Sequence, residues 1–200
     1  MKELKRIAFT PVEIADHEAE MIVRVLDADW DMVHLRHPAA SLADMRRLIE
    51  AIPQRYHSRL RLHGHFALAS EFNLGGLHLN SRCPMPPAFY TGPLSRTCHT
   101  VDDVIASRGY DYVTLSPIFP SISKPGYGEC TNFTASDLEQ IDKMRHTSVI
   151  ALGGVTPATL PQLAMMPFQG FATLGYLLGC GNPALLPERL LQFEQTIKKI

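Results

Sequence analysis

The chain has 200 residues, 46% of them hydrophobic, and a formal charge of −1 from 19 basic and 20 acidic side chains. That is enough apolar material for one well-packed domain spanning residues 1–200, and too balanced a charge for a nucleic-acid or polyanion-surface binder. MKELKRIAFT is too short an apolar run for a signal peptide, no stretch approaches the roughly 18 residues of a membrane span, and the four cysteines form no CxxC pair, which predicts a cytoplasmic chain with reduced thiols.

Short apolar and β-branched runs alternate with longer amphipathic segments along the whole chain. RIAFT (6–10) reads as the first strand, and DHEAEMIVRVLDAD (16–29) follows as a helix with Ile22, Val25 and Leu26 on one face. MVHLR (32–36) is a second strand. SLADMRRLIEAI (41–52) is a helix capped by Ser41, with Met45, Leu48, Ile49 and Ile52 at helical spacing. LRLHG (60–64), GLHL (76–79), LSRTC (94–98), YVTLS (112–116), VIALGG (149–154) and FATLG (171–175) complete eight strands. TVDDVIASRG, TASDLEQIDKMR and TPATLPQLAM each open on a threonine suited to an N-cap, the last with Pro157 expected at the first helical position. LPERLLQFEQTIKKI closes the chain as a helix whose Lys198 and Lys199 suit a negative C-terminal dipole. Eight β–α repeats of about 20–25 residues predict a single α/β domain closed as a (β/α)8 TIM barrel. The competing open doubly wound sheet would need a glycine-rich loop after the first strand, and FTPVEIADH has no glycine.

In such a barrel the C-terminal strand ends carry the chemistry. Read in order they offer His34 and Arg36, then His63, Gly64 and His65, then His78 and Asn80, then Thr97, Cys98 and His99, then Ser116. Gly153, Gly154 and Gly175 follow on the last two strands. Imidazoles and hydroxyls dominate this ring, and carboxylates are missing from it. Glycine lets backbone approach a ligand and helix-start N–H groups attract anions, so Gly153, Gly154 and Gly175 are the expected phosphate cradle. SPIFPSISKPGYG (116–128) is far longer than a connector needs. Its prolines stiffen a loop that carries Lys124 between Ser121 and Ser123 on one side and Pro125 on the other, a candidate lid with a cation for an anionic ligand. Arg36, ending an apolar strand, is expected to face a polar cavity, because an unpaired buried charge would be costly.

With VHLR (33–36), ASEFNLGGLHL (69–79), RGYDYVTLSPIFPSISK (108–124), IALGGVTPATL (150–160) and GFATLGYL (170–177), the chain resembles the thiamin-phosphate synthase/TenI family along nearly its whole length. The resemblance implies a small barrel of thiamin biosynthesis whose long loop closes on a phosphorylated substrate, with Lys124, Ser121 and Ser123 on anionic oxygens. It implies a thiazole phosphate held by Gly153, Gly154 and Gly175; Arg36, His63 and Thr97, on the same ring of strand ends, are expected to contact the substrate as well. The synthase branch joins a pyrimidine diphosphate to thiazole phosphate and uses Mg²⁺. Its glutamine, its lysine and its metal-binding aspartate are replaced here by His34, Pro38 and Gly64, and NSRC supplies no second acidic ligand. The TenI branch aromatises a carboxylated thiazole phosphate by moving a proton and needs no metal; His34-x-Arg36 and Gly64 match it. A histidine of that branch falls at Pro117, so another imidazole has to carry the proton. His78 and His34 are the expected carriers, with His63 and His99 behind them, because imidazole titrates near neutrality.

The implied partner is therefore a small phosphorylated substrate, without nucleic acid or membrane and with homo-oligomer formation left open. No cofactor is expected, Mg²⁺ entering only with synthase activity. Three other readings stand beside the tautomerase. The first is thiamin-phosphate synthesis itself, and the second is a barrel that binds thiazole or thiamin phosphate without turnover. The third is a metal-dependent hydrolase built on His63-Gly-His65 with His78, Cys98 and His99.

Overall fold

In a computed structural model the protein is described over residues 4–120, 133–144, 146–179 and 182–200. Among these residues there are eight strands and seven α-helices, alternating except between the fourth and fifth strands. They run β1 (Lys5–Phe9), α1 (Glu18–Asp27), β2 (Met32–Leu35), α2 (Leu42–Ala51), β3 (Leu60–Leu62), α3 (Ala67–Glu71), β4 (Leu77–Leu79) and β5 (Leu94–Cys98). Then come α4 (Val101–Ala106), β6 (Tyr112–Leu115), α5 (Ala135–Lys143), β7 (Ser148–Leu152), α6 (Leu160–Ala164), β8 (Gly170–Thr173) and α7 (Leu186–Ile197). Every neighbouring pair is parallel, and β8 closes on β1 through Lys5 opposite Gly170 and Ala8 opposite Thr173. The expected (β/α)8 barrel is the observed one. The connection from β4 to β5 carries no helix, so one repeat leaves its rim to an irregular loop.

Period-two alternation divides each strand between two cores. Ala8, Val33, Leu35, Leu60, Leu62, Leu77, Val113, Leu115, Val149, Ala151 and Phe171 point outward, in one cluster with Met21, Ile22, Val25 and Leu26 of α1 and Met45, Leu48 and Ile49 of α2. Between α1 and β2, Trp30 meets Phe171 and Phe193 edge-on, locking α7 against the barrel. The inward residues form a second, much smaller apolar cluster of Ile7, Phe9, Tyr112, Ile150 and Ala172. The rest of the lumen is polar: buried His34, Arg61, His63, His78, Ser95 and Thr114 come from β2 to β6. One half of the barrel interior is therefore greasy and the other half hydrogen-bonding.

Capping follows the sequence where a side chain and a third-residue carboxylate agree. Ser41 with Asp44, Thr100 with Asp103 and Thr134 with Asp137 each close a reciprocal capping box at the start of α2, α4 and α5. The third threonine start differs. α6 begins at Leu160, not beside Thr156, and Pro161 occupies its first turn. Thr156 and Thr159 instead hold a turn, with the Thr156 N–H donating to Thr159 Oγ1 at 2.9 Å and the Leu160 N–H to the Thr156 carbonyl at 3.0 Å. The stretch Thr156–Thr159 lacks the third-residue acid that completes the other boxes, so the helix waits for Leu160.

Candidate functional site

All parallel strands end on one face, and there a cavity of about 930 Å³ opens. Its wall includes Phe9, Arg36, His63, Asn80, Arg82, Arg96, Thr97, His99, Asp103 and Ser116, with Gly153, Gly154 and Gly175 opposite. Of the site residues expected from sequence, Arg36, His63, Thr97, Gly153, Gly154 and Gly175 are brought together here. Ser121, Ser123 and Lys124 lie outside the described residues. His34 and His78 are completely buried and lie beneath the cavity floor instead of lining it.

That floor is a packed imidazole cluster. His34 Nδ1 is 2.9 Å from His63 Nε2, and His34 Nε2 is 2.6 Å from the Tyr112 hydroxyl. His78 stacks on His63 with ring centroids 4.3 Å apart, and Phe9 stacks on His34 at the same separation. Ser95 donates to the Leu77 carbonyl, so its oxygen accepts from His78 Nδ1–H at 2.9 Å. The neutral ring then accepts at Nε2 from the Thr97 hydroxyl, also at 2.9 Å. The network thus assigns one tautomer to His78. Burial, followed by the neighbouring imidazoles and Arg61, holds His34 well below its ordinary value. His63 is held down by burial and then by His78, Arg36, Arg82 and His37. Burial, with Arg61 behind it, brings His78 down to about 3, and burial pushes the Tyr112 phenol up to about 12. All four groups are uncharged at neutral pH. Of the three rings only His63 reaches the cavity, and its Nδ1 has no partner among the described residues.

The cations were only partly legible. Arg36 and Arg82 both stand on the cavity wall, and among the described residues neither has a carboxylate partner. Burial and then the neighbouring Arg82 lower Arg36 from its usual value, the signature of positive charges gathered without a counter-ion. Arg82 escaped the sequence reading because it follows the fourth strand end by three residues, in an irregular loop; the Asn80 side chain folds that loop back by accepting the Arg82 N–H at 3.1 Å. The same side chain donates to the carbonyls of His63 and His78, at 2.9 and 3.2 Å, tying the ends of β3 and β4 together. Arg96 was hidden by its outward strand position; it lies over the Tyr110 ring.

Gly153 and Gly154 adopt φ of 97° and 63°. A Cβ on Gly154 would come within 2.3 Å of the Pro120 carbonyl oxygen, and one on Gly153 within 2.9 Å of Pro117 Cα. The glycines therefore let residues 117–120 lie across the end of β7, where Ile118 and Phe119 donate to the carbonyls of Leu152 and Gly153 at 3.0 and 3.1 Å. Among the described residues the N–H groups of Gly154 and Gly175 make no hydrogen bond, which leaves donors for an anion on that wall.

A magnesium ion finds little here. Asp103 is the one carboxylate among the described lining residues, and its Oδ2 already accepts from the N–H groups of His99 and Thr100. Mg²⁺ takes hard oxygen donors, and the described residues do not fit it. The hydrolase constellation is split as well. Ring nitrogens of His34, His63 and His78 lie within 4.8 Å of one another. His65, however, turns away to the Ala40 carbonyl, and Cys98 faces Ser107 on the outside of the barrel. Both ring nitrogens of His34 and of His78 are already hydrogen-bonded, and Arg61 sits beside them, so a cation would have to displace partners and approach a like charge.

Comparison with known proteins agrees with this architecture. The family model described as thiamine monophosphate synthase (TMP-TENI) matches residues 7–176. A putative thiamine-phosphate synthase of Geobacter sulfurreducens is 27% identical over 168 residues, covering 76% of this chain and 78% of that protein. The crystal structure of thiamine phosphate pyrophosphorylase from Bacteroides thetaiotaomicron superposes with a TM-score of 0.84 at 31% identity, covering 98% of each chain. A thiamine phosphate pyrophosphorylase from Pyrococcus furiosus shares the fold with a TM-score of 0.78 at 13% identity, over 99% of this chain and 97% of that one. A closed eight-stranded barrel, a strand-end cavity with glycines on its last two strands, and a family match across most of the chain lead to one assignment: this chain belongs to the thiamine monophosphate synthase/TenI family of thiamine biosynthesis.

Proposed function

We propose that the cavity binds a phosphorylated thiazole and catalyses its tautomerisation, moving a proton without a metal. The observation that carries this reading is the pairing, around one cavity, of unpartnered cationic and N–H donors with a floor of uncharged imidazoles. Arg36, Arg82 and the N–H groups of Gly154 and Gly175 supply charge-assisted and backbone donors for a phosphate. Thr97, Ser116 and the imidazoles supply neutral polar contacts to a heteroaromatic ring, and Phe9 and Leu152 give it apolar walls. Proton transfer needs a group that can hold and return a proton at neutral pH, for which imidazole is the natural side chain. His34 and His78, enclosed as they are, act by positioning His63 and Thr97.

The names of the relatives favour a second reading, condensation of a pyrimidine diphosphate with thiazole phosphate. Two parallel reactions separate them, one with a chelator and the other with added Mg²⁺, pyrimidine diphosphate and thiazole phosphate. The protein is mixed with the non-aromatic thiazole carboxylate phosphate in the presence of a chelator and followed by NMR. Catalysed aromatisation is the expected result. Release of pyrophosphate from the pyrimidine diphosphate and thiazole phosphate, dependent on added Mg²⁺, would replace this reading with the synthase. Saturable binding without either turnover would leave a thiazole-phosphate carrier.

A further inference from the structure

We propose that His99, at the C-terminal end of β5, is the catalytic group that moves the proton in this cavity. The inference rests on the tautomerase reading above and names the residue that performs it. His99 Nδ1 lies 3.0 Å from the Ser116 carbonyl oxygen. A carbonyl only accepts, so Nδ1 carries the hydrogen and the neutral ring presents its lone pair at Nε2. Among the described residues Nε2 has no partner, and the side chain lines the cavity between Thr97 and Ser116, which line it too. The backbone is fixed as firmly as the ring. The His99 N–H donates to Asp103 Oδ2 at 3.1 Å, and Thr100 next to it caps α4 through the same carboxylate.

Exposure separates His99 from the other imidazoles. His34, His63 and His78 are enclosed, and burial disfavours their charged forms. His99 is solvent-exposed and lines the cavity, so a bound substrate can reach its Nε2 directly. In the forward step Nε2 takes a proton from a carbon of the bound substrate, and the electron pair of the broken C–H bond passes into the conjugated ring system. The imidazolium keeps its Nδ1–H on the Ser116 carbonyl throughout, which holds the ring still. The new Nε2–H then returns to a second carbon of the same system, so one C–H bond breaks, one forms, and nothing is oxidised or reduced.

The test uses the full chain and the thiazole carboxylate phosphate in D2O, with NMR reading both turnover and deuterium at the receiving carbon. Calorimetry with the same compound reads binding, and a thermal melt confirms folding. His99→Ala is expected to lose about 10²–10⁴-fold in kcat, to bind within about threefold of the native protein, and to recover part of its rate with added imidazole. His99→Gln, which keeps a donor for the Ser116 carbonyl, is expected to be equally inactive. Turnover by His99→Ala within threefold of native overturns the proposal, and a loss confined to His63→Gln would transfer the role to His63. A native protein that binds without turnover overturns the tautomerase reading itself and His99 with it, an outcome recognisable because no variant is needed to see it.

Discussion

Arg36 and Arg82 illustrate what a single charged side chain can reveal when its partner is missing. Half-buried guanidinium groups are normally matched by carboxylates, because desolvating an unpaired charge is unfavourable. Here the described residues supply none for half-buried Arg36, and the exposed guanidinium of Arg82 stands close enough to lower it further from its usual value. Arg36→Ala is therefore expected to weaken binding of thiazole phosphate by about 1.5–3 kcal/mol, or roughly ten- to a hundredfold, the range of a charged hydrogen bond. It should do so while leaving the melting temperature unchanged or slightly raised, since a like-charge contact is removed. Calorimetric titration beside a thermal melt checks both halves, and unchanged affinity would move the phosphate elsewhere in the cavity. His34 and His78 teach the opposite lesson. Their residue type and strand position suggested chemistry, but the alternation that turns them inward also places them one layer below the mouth. His63, just past the end of β3 and two positions nearer the rim than the inward Arg61, is the ring that reaches the cavity. Sequence identifies an imidazole; depth in a lumen depends on the stagger of neighbouring strands.

At the scale of elements, local signals served well where a helix carries its own start. Ser41, Thr100 and Thr134 are each followed three residues later by an aspartate, and each opens its helix as expected. Thr156 lacks that acid, and Pro157 falls in a turn instead of a first helical position. The β7 end shows how an element and a loop depend on one another. Gly154 has a positive φ and sits against the Pro120 carbonyl, so Gly154→Ala should cost about 1–3 kcal/mol through backbone strain and the displaced contact. It should also weaken phosphate binding, because the N–H at that position is reoriented. Urea unfolding and phosphate-ester titration of the variant are the measurements; native stability together with native affinity would sink both the packing role and the anion role.

At the scale of the whole molecule, the lumen ties stability to pH. His34, His63 and His78 all have folded pKa values below the ordinary histidine value of about 6.5. Above that value neither the folded nor the unfolded chain is protonated at these sites, and stability is at its full level. Below it the unfolded chain takes up protons that the folded barrel refuses, until the folded values are reached, about 3 for His78. Stability therefore falls with acidification, by up to about 1.4 kcal/mol per pH unit for each ring and about 4 for all three. Against the usual 5–15 kcal/mol, that steepest slope would unfold the barrel within about one to four units below pH 6.5. Urea midpoints at pH 7.5, 6 and 5 measure the slope, and His78→Gln should flatten it by about one third. Stability independent of pH between 7.5 and 5 would mean that the rings take up protons in the fold as readily as in the unfolded chain.

The sequence by itself determined the architecture. Eight strand runs in register with amphipathic helices can bury their apolar faces in few ways, and a parallel sheet of eight closes. It also determined which residue types gather at the strand ends, because a parallel barrel puts every C-terminus on one face. Tertiary structure decided which of those residues share a cavity. Asn80 draws Arg82 to the mouth, the Ser116 carbonyl fixes the His99 ring, and Tyr112, Ser95 and Thr97 enclose His34 and His78 beneath the floor. Apart from the Asn80–Arg82 turn, these contacts join residues 17 to 78 positions apart, and no local periodicity encodes them, since they arise only when strand tilt and register bring separate segments within hydrogen-bond distance.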